Sequence, residues 1–515
     1  MKILVVNHPE DSYAGEIVAA AIVRSFTPCQ VGRAEYQSIT GLPDAAVLLS
    51  PRAPDRPLLK KLASQGRKVL LLGLLDEKLA DDVALVSRPF NGVAGGSDIE
   101  INPAEPFNTT SAAVIYNTAH PLGKASGLKK RHLCRFDFTD EWNNLGYGRI
   151  NTSGDIWSIS NIADTRGAHA LAMIQEKDGL PLTVYAAVCD RPDSAILWYN
   201  RPVGPVDSLE WKVIETFFGD YRQEELNCFP YLPEVPYGFD GAITMRLDCD
   251  QAVSSATPLF ELYESAGVPF SLAVLTGLKM EGPDTKLLDE IIKSGGSVVS
   301  HSHNHHPNWG GGYQAAFYEA LESKHWLEEN TTAGVVRYAI SPFHQNPAYA
   351  LEALADAGYR GFIGGIIHND PEFLLGRAGQ VPVVKKKLIS HSQQCLLHGD
   401  CYHRYGNAIE VYKESFKNHM ASGSIFGYMD HPFSKEYSYG WKDEGERIGV
   451  HEELLNFLLS PGKIWRCSIN SCLDFLVMRD SARVFAENRK LESKYDKVSS
   501  LPPLAVRWRG DLFEG

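Results

Sequence analysis

Beyond residue 240 the chain alternates repeatedly between short apolar runs and helical patterns. The runs are AITMRLD, FSLAVLT, SVVS, VVRYAI, GFIGG, VPVVKKKLI, SIFGYMD and KIWRCS. Amphipathic stretches such as SATPLFELYESAG, TKLLDEIIKSG and YQAAFYEALESKHWLEE lie between most of them. Continuous apolar strands joined through helices make a parallel sheet covered on both faces. Repeated this often, the pattern predicts a distorted (β/α) barrel of about seven or eight units. Polar clusters fall at the C-terminal ends of these runs: Asp248 and Asp250, His301 and His305, Pro342 and Phe343, Asp430 and His431. Active sites of such barrels gather at that end, so these distant segments are expected to converge.

At 515 residues the chain is too long for one ordinary core. Residues 1–77 read as an α/β, flavodoxin-like unit, with strands KILVV, AAVLLS and KVLLLG separated by helices. NHPEDS, after the first strand, supplies no glycine-rich phosphate loop, so no nucleotide site is expected. From 78 to 192, short β-like runs separated by Gly, Asn, Asp and Pro predict a mainly β insert. SAILWYN and SLEWKVIETFFGDY restore the strand–helix rhythm, so 193–235 completes the first, discontinuous domain. The barrel then occupies 236–480, and 481–515 is a C-terminal extension. Trp142, Trp157 and Trp198 are candidates to line sugars, although Trp more often packs.

The formal net charge of −13 lacks the basic footprint of a nucleic-acid binder, so no nucleic acid partner is expected. No apolar run approaches the roughly 20 residues of a transmembrane helix. The opening MKILVVNHPEDSYAG reads as a strand rather than a leader, which favours a cytoplasmic location. A secreted or periplasmic one requires that a leader has been removed. Nine cysteines, an odd number spread over a long chain, do not make a disulfide framework.

Asp248 and Asp250 are two apart at a strand end and project to one side. One carboxylate can bind a metal while the other takes a proton from its water; the competing role is capping of a turn. Arg246 shares that side and can pair with Asp248, as a structural ion pair or to tune a base. His301 and His305 are four apart and share a face if the stretch forms a helical turn. Neutral imidazoles suit Zn²⁺, Co²⁺, Ni²⁺ or Fe²⁺. His303 and His306 are spares. His431 can protonate a leaving amine, with Asp430 to orient it, although adjacent side chains in a strand diverge. Pro342 and Phe343 form a wall beside a substrate or simply end their strand.

From about Gly241 to Met478 these motifs resemble the polysaccharide deacetylase family, also called NodB homology or carbohydrate esterase family 4. The Asp248-Cys249-Asp250 spacing is similar to an Asp-x-Asp subgroup of exopolysaccharide deacetylases. The run from His301 to His305 resembles the family's His-Ser/Thr-x-x-His metal motif, MDHP its final motif, and YAISPFH its groove wall. The resemblance implies one divalent metal, Zn²⁺ first and Co²⁺, Ni²⁺ or Fe²⁺ as alternatives, held by Asp250, His301 and His305. It implies Asp248 as base, His431 as acid, and Pro342 and Phe343 along the groove. The groove motif's arginine is missing at its usual place, and Arg246 substitutes. The Asp-and-Trp motif that supports the acid histidine has no clear match, and His391 or Asp430 stands in. The implied reaction is metal-dependent hydrolysis of an N-acyl group, N-acetyl first, from an amino sugar in a glycan or glycan precursor. The implied partners are an amino-sugar or polysaccharide substrate and enzymes of polysaccharide biosynthesis. Alternatives are a related amidase acting on a nucleotide-linked or lipid-linked sugar or another small amide, and a non-catalytic glycan-binding relative.

Overall fold

The computed structural model describes all residues except 91–112, 133–134, 138–148, 152–159, 176–178, 202–207, 367–376, 383, 394, 405, 407–408, 435–436 and 488–489. Two large mixed α/β sheets dominate it. The front sheet contains β1 (Ile3–Asn7), β2 (Val31–Glu35), β3 (Ala45–Leu49), β4 (Lys68–Leu72), β5 (Ala113–Tyr116), β6 (Lys130–His132), β7 (His169–Gln175), β8 (Pro181–Arg191) and β9 (Ser194–Tyr199). Their order is β2-β1-β3-β4-β9-β8-β7-β5-β6. Pairing is parallel from β2 to β9 and antiparallel from β9 to β6. AAVLL and KVLLL are buried at every position, as strands covered on both faces must be.

Most of DIWSISNIA lies outside the described residues; within the stretch expected to form an insert, β5 to β8 extend the front sheet. The reason lies in β9. It enters parallel to β4, and its other edge takes up β8 across the short turn at Pro192 and Asp193. Leu85–Arg88 and Ile162–Thr165 form a small antiparallel pair.

The second sheet contains β10 (Gly241–Cys249), β11 (Ser271–Val274), β12 (Ser297–Ser300), β13 (Tyr338–Ile340), β14 (Gly361–Ile366), β15 (Gly379–Gln380), β16 (Ile389–Gln393), β17 (Cys395–Leu396), β18 (Ile425–Asp430) and β19 (Ile464–Cys467). The order is β15-β16-β14-β13-β12-β11-β10-β18-β17, with β19 also on β10. All pairs are parallel except β15 with β16. The chain from 389 to 396 pairs with β14 at its start and with β18 at its end. Among its described residues, VPVVKKKLI forms no strand before Ile389. Its lysines turn outward, Lys386 to Asp356 at 2.6 Å and Lys387 to Asp480 at 2.6 Å, and pairing begins only at Ile389.

Buried charge joins the two sheets. Arg24, on the helix Ser12–Phe26, donates to the carbonyls of Arg377 (2.5 Å), Gly379 (2.9 Å) and Gln380 (2.8 Å) and to Ser390 Oγ (3.1 Å). Arg377 makes a forked pair with Glu215 at 2.8 and 2.6 Å, and Ser25 Oγ donates to the same carboxylate at 2.7 Å. Arg377 and Glu215 are fully buried. Removing one partner of such a pair costs about 3–5 kcal/mol. Two C-terminal hairpins, Arg483–Glu487 with Lys490–Lys494 and Ala505–Trp508 with Asp511–Glu514, follow. The second one reaches the front half: Arg507 bridges Tyr231, and Trp508 Nε1 donates to Cys228 O at 2.9 Å. Among the described residues, no helix is long and apolar enough to cross a membrane.

Candidate metal centre

β10 is buried along its whole length, and Asp250 follows directly on its last residue. The alternation of the strand sets the roles of its end. Arg246 and Asp248 lie on one side, joined by a fork of 2.5 and 3.0 Å. Cys249 turns to the core, where its thiol donates to Gln251 O at 3.2 Å. Burial works to raise the Asp248 pKa. The charge of Arg246, then His301, the Arg246 hydrogen bonds and His431 outweigh it and hold the carboxyl well below the usual range. Asp248 is therefore an ionised acceptor at neutral pH.

His301 and His305 converge, but not on a helical turn. Residues 301–306 are irregular, with Ser302 at φ 68° and His305 at φ 57° in the left-handed region. Such conformations cost about 1–3 kcal/mol each and persist only where their surroundings impose them. Here side chains capture the loop's amides. Ser300 Oγ accepts from Ser302 N (3.2 Å) and Ser302 Oγ from His305 N (3.0 Å). Glu319, buried on the helix Tyr313–Asn330, accepts from His303 N (3.0 Å) and Asn304 N (2.6 Å) and from the Asn304 amide (2.7 Å). Gly277 N donates to His303 O at 2.7 Å, and a Cβ on Gly277 would lie 2.4 Å from that oxygen. His303 pairs with Thr276 at 3.1 Å and His306 lies 3.8 Å from Glu319, so both spares hold the loop.

The result is a triangle of donor atoms. His301 Nε2 and His305 Nε2 are 3.0 Å apart, and Asp250 Oδ1 lies 3.3 and 3.4 Å from them. Ligands bound at about 2.0–2.1 Å around one first-row ion have separations of this size. His301 Nδ1 is 3.2 Å from Ile340 O, and a carbonyl can only accept, so Nδ1 carries the proton and Nε2 the lone pair. Asp250 Oδ1 is buried without a hydrogen-bond partner among the described residues. Burial works against a charged His301, yet Asp248 and Asp250 raise its pKa; burial and His301 lower that of His305. The corner is short of positive charge. These three residues fit a divalent ion, and the N/O donor set suits Zn²⁺, Co²⁺, Ni²⁺ or Fe²⁺.

On the other side, His431 Nε2 is 3.6 Å from Asp250 Oδ2. Its ring stacks on Tyr439 at 4.2 Å and 10°, and burial holds its pKa below the ordinary value. Asp430 does not reach that ring. Its Oδ1 accepts from His431 N at 2.8 Å, and its Oδ2 meets His451 Nε2 at 3.0 Å. Trp441 Nε1 donates to the same carboxylate at 3.2 Å. Arg447, 3.7 Å from Asp430, donates to His431 O at 2.7 Å. Both backbone groups of His431 are thus clamped by buried charge. His391 lies buried on β16, where burial lowers its pKa and Glu234 and Ile425 act on it. The residues gathered behind His431 are Trp441, Arg447 and His451, which sequence reasoning missed. One signal was available. Asp443 caps the helix Glu444–Leu458, and Arg447 and His451 are four apart on it, on one face.

Pro342 is buried, while Phe343 is half exposed over His305 with ring centroids 4.5 Å apart. Tyr437, equally exposed, meets Tyr439 edge-on at 4.1 Å. Next to Phe343, the overlooked His344 has a buried Nδ1; burial, then Arg246, pushes its pKa down to about 3, so it is neutral. Trp198 is a packing residue whose Nε1 donates to Gly73 O at 2.9 Å. Trp142 and Trp157 lie outside the described residues.

No protein-family model and no curated protein matches the chain. Among solved structures, it is similar to Agd3, titled a novel carbohydrate deacetylase, at 10% identity and a TM-score of 0.45, over 98% of this chain and 93% of that one. A putative polysaccharide deacetylase from Mycobacterium smegmatis is similar at 13% identity and TM-score 0.36, over 48% of this chain and 94% of that one. Puue allantoinase is similar at 9% and 0.36, over 47% and 92%. Likeness at this level identifies neither reaction nor substrate.

Proposed function

We propose that this protein is a metal-dependent hydrolase that removes an N-acyl group, N-acetyl first, from an amino sugar in a glycan or glycan precursor. The reading includes a distorted (β/α) barrel over 236–480, related to the polysaccharide deacetylases, behind a front unit of residues 1–235. The observation that carries it is one corner in which the Asp250, His301 and His305 donors lie within 3.4 Å of one another, with His431 approaching Asp250 from another strand.

Asp250, His301 and His305 hold the ion, with Zn²⁺ as the first candidate. A bound divalent ion supplies a Lewis acid that activates water and polarises the acyl carbonyl. Asp248 accepts the proton of the attacking water. Arg246 fixes both of its oxygens, which keeps the carboxylate ionised and aimed. His431 donates a proton to the leaving nitrogen, which does not depart readily as an anion. The products are a short carboxylic acid and a free amine. Phe343 beside His305 and Tyr437 beside Tyr439 offer exposed ring faces for a sugar.

The test joins metal analysis to acid release. Protein loaded with Zn²⁺ or Co²⁺ is offered N-acetylated oligosaccharides and activated N-acetyl amino sugars. Acetate released in step with metal content supports the proposal; stoichiometric metal with no acid released from any of them overturns it.

A further inference from the structure

Lys68 opens β4 in the front sheet and is 1% exposed. A buried ammonium normally requires a carboxylate. Among the described residues, the groups within hydrogen-bond reach of this amine are Phe218 O at 3.3 Å and Cys228 Sγ at 3.2 Å, with the Asp220 carboxylate acting from farther off. Cys228 is 2% exposed, yet it helps to line a cavity of about 530 Å³ together with Phe485, Trp508 and Arg509. Its carbonyl accepts from Trp508 and its thiol also faces Leu226 O at 3.6 Å, so the sulfur is held in place. The cavity brings small solutes up to the residue that carries the thiol.

We propose that Lys68 and Cys228 are a redox modification site, at which peroxide joins the amine and the thiol through one oxygen as Lys-NH-O-S-Cys. Burial lowers the Lys68 pKa and raises that of Cys228, each against the pull of the other's charge. The chemistry uses the nitrogen lone pair of the amine once it has given up its proton. One peroxide converts the thiol to a sulfenic acid and releases water. A second peroxide accepts two electrons as the N–O bond forms from the amine nitrogen to the sulfenic oxygen, and two more waters leave. In sum, one amine, one thiol and two peroxides give the bridge and three waters. An inserted oxygen spans the observed gap with less movement than a direct S–N bond, which would draw two anchored backbones together. The bridge ties β4 to the segment beneath the C-terminal hairpin.

The full-length protein is treated with hydrogen peroxide and its intact mass followed. The bridge adds one oxygen and removes two hydrogens, about +14 Da, and should revert under dithiothreitol. Peptide mapping should link the Lys68 and Cys228 peptides and show no tryptic cleavage after Lys68. The shift should vanish in Cys228→Ser and in Lys68→Met. Oxidation of Cys228 alone, by whole oxygens, overturns the proposal. So does a mass that never changes, or a +14 Da species that persists in Lys68→Met. The peptide map of the unaltered chain decides the matter even if a variant fails to fold.

Discussion

The two corners of the candidate centre are built in opposite ways. The Asp250, His301 and His305 corner is gathered from separate segments: two strand ends and one loop supply the three donors, and the loop is held by hydroxyls and by one buried carboxylate, Glu319, from a later helix. The His431 corner comes from one stretch of chain, Asp430 to His451. Its histidine is held by its backbone, through Asp430 and Arg447, and these in turn by Trp441, His451 and Glu444. Hydroxyls and one carboxylate shape the first corner; a relay of buried charge shapes the second. Damage to the first corner should remove the ion, and damage to the second should leave the ion and misplace the acid.

The widest separation between the corners should come from ligand loss. His301→Ala with His305→Ala should abolish hydrolysis and drop bound metal from near one per chain toward none, read by elemental analysis. Asp248→Asn should retain metal while turnover falls by about 10²–10⁴-fold; full metal with undiminished turnover would remove Asp248 from the role of base. Arg447→Met breaks the clamp on His431 O and leaves Asp430 without its guanidinium. It should cost about 3–5 kcal/mol of stability with metal binding intact in the folded fraction, measured by urea unfolding beside metal analysis. Glu319→Gln should act oppositely, weakening metal affinity more than global stability, with roughly 1.5–3 kcal/mol at stake in its charge-assisted bonds to the loop. The smallest effect concerns pH. Burial works to raise the Asp430 pKa, but the His451 hydrogen bond and the neighbouring positive charges hold it below the ordinary value. The stability from this carboxylate is present above the unfolded Asp value, about 3.9, and is lost as pH falls through the lower folded value. Trp441 fluorescence should hold steady on mild acidification and shift only in that acid range.

Much of this was legible in the sequence, and what was legible had a local physical cause. The strand of Asp248 and Asp250 and the four-residue spacing of His301 and His305 were readable because strand alternation and short spacings constrain side chains directly. The histidines do not share a helical turn: Ser302 and His305, both left-handed, bend the chain, and Glu319 holds it from a later helix that no local pattern reveals. VPVVKKKLI looked like a strand by its apolar half alone, and its lysines found carboxylates in other elements. The Trp441 contact was hidden for another reason: an indole donor eleven residues from its acceptor, across a loop, leaves no periodicity. The insert strands were visible one by one, but their membership in the front sheet depends on β9 docking beside β4, a tertiary fact.

The reach of Arg24 has a practical corollary. Gly379 and Gln380 form the outermost strand of the second sheet, and the guanidinium caps their carbonyls. Cutting the chain near residue 235 would uncap that strand, strand Arg377 without Glu215, and leave unsatisfied backbone of the kind that recruits other chains. A preparation of the rear half alone would then report on its own clumping rather than on its chemistry, so activity belongs to assays of the uncut polypeptide.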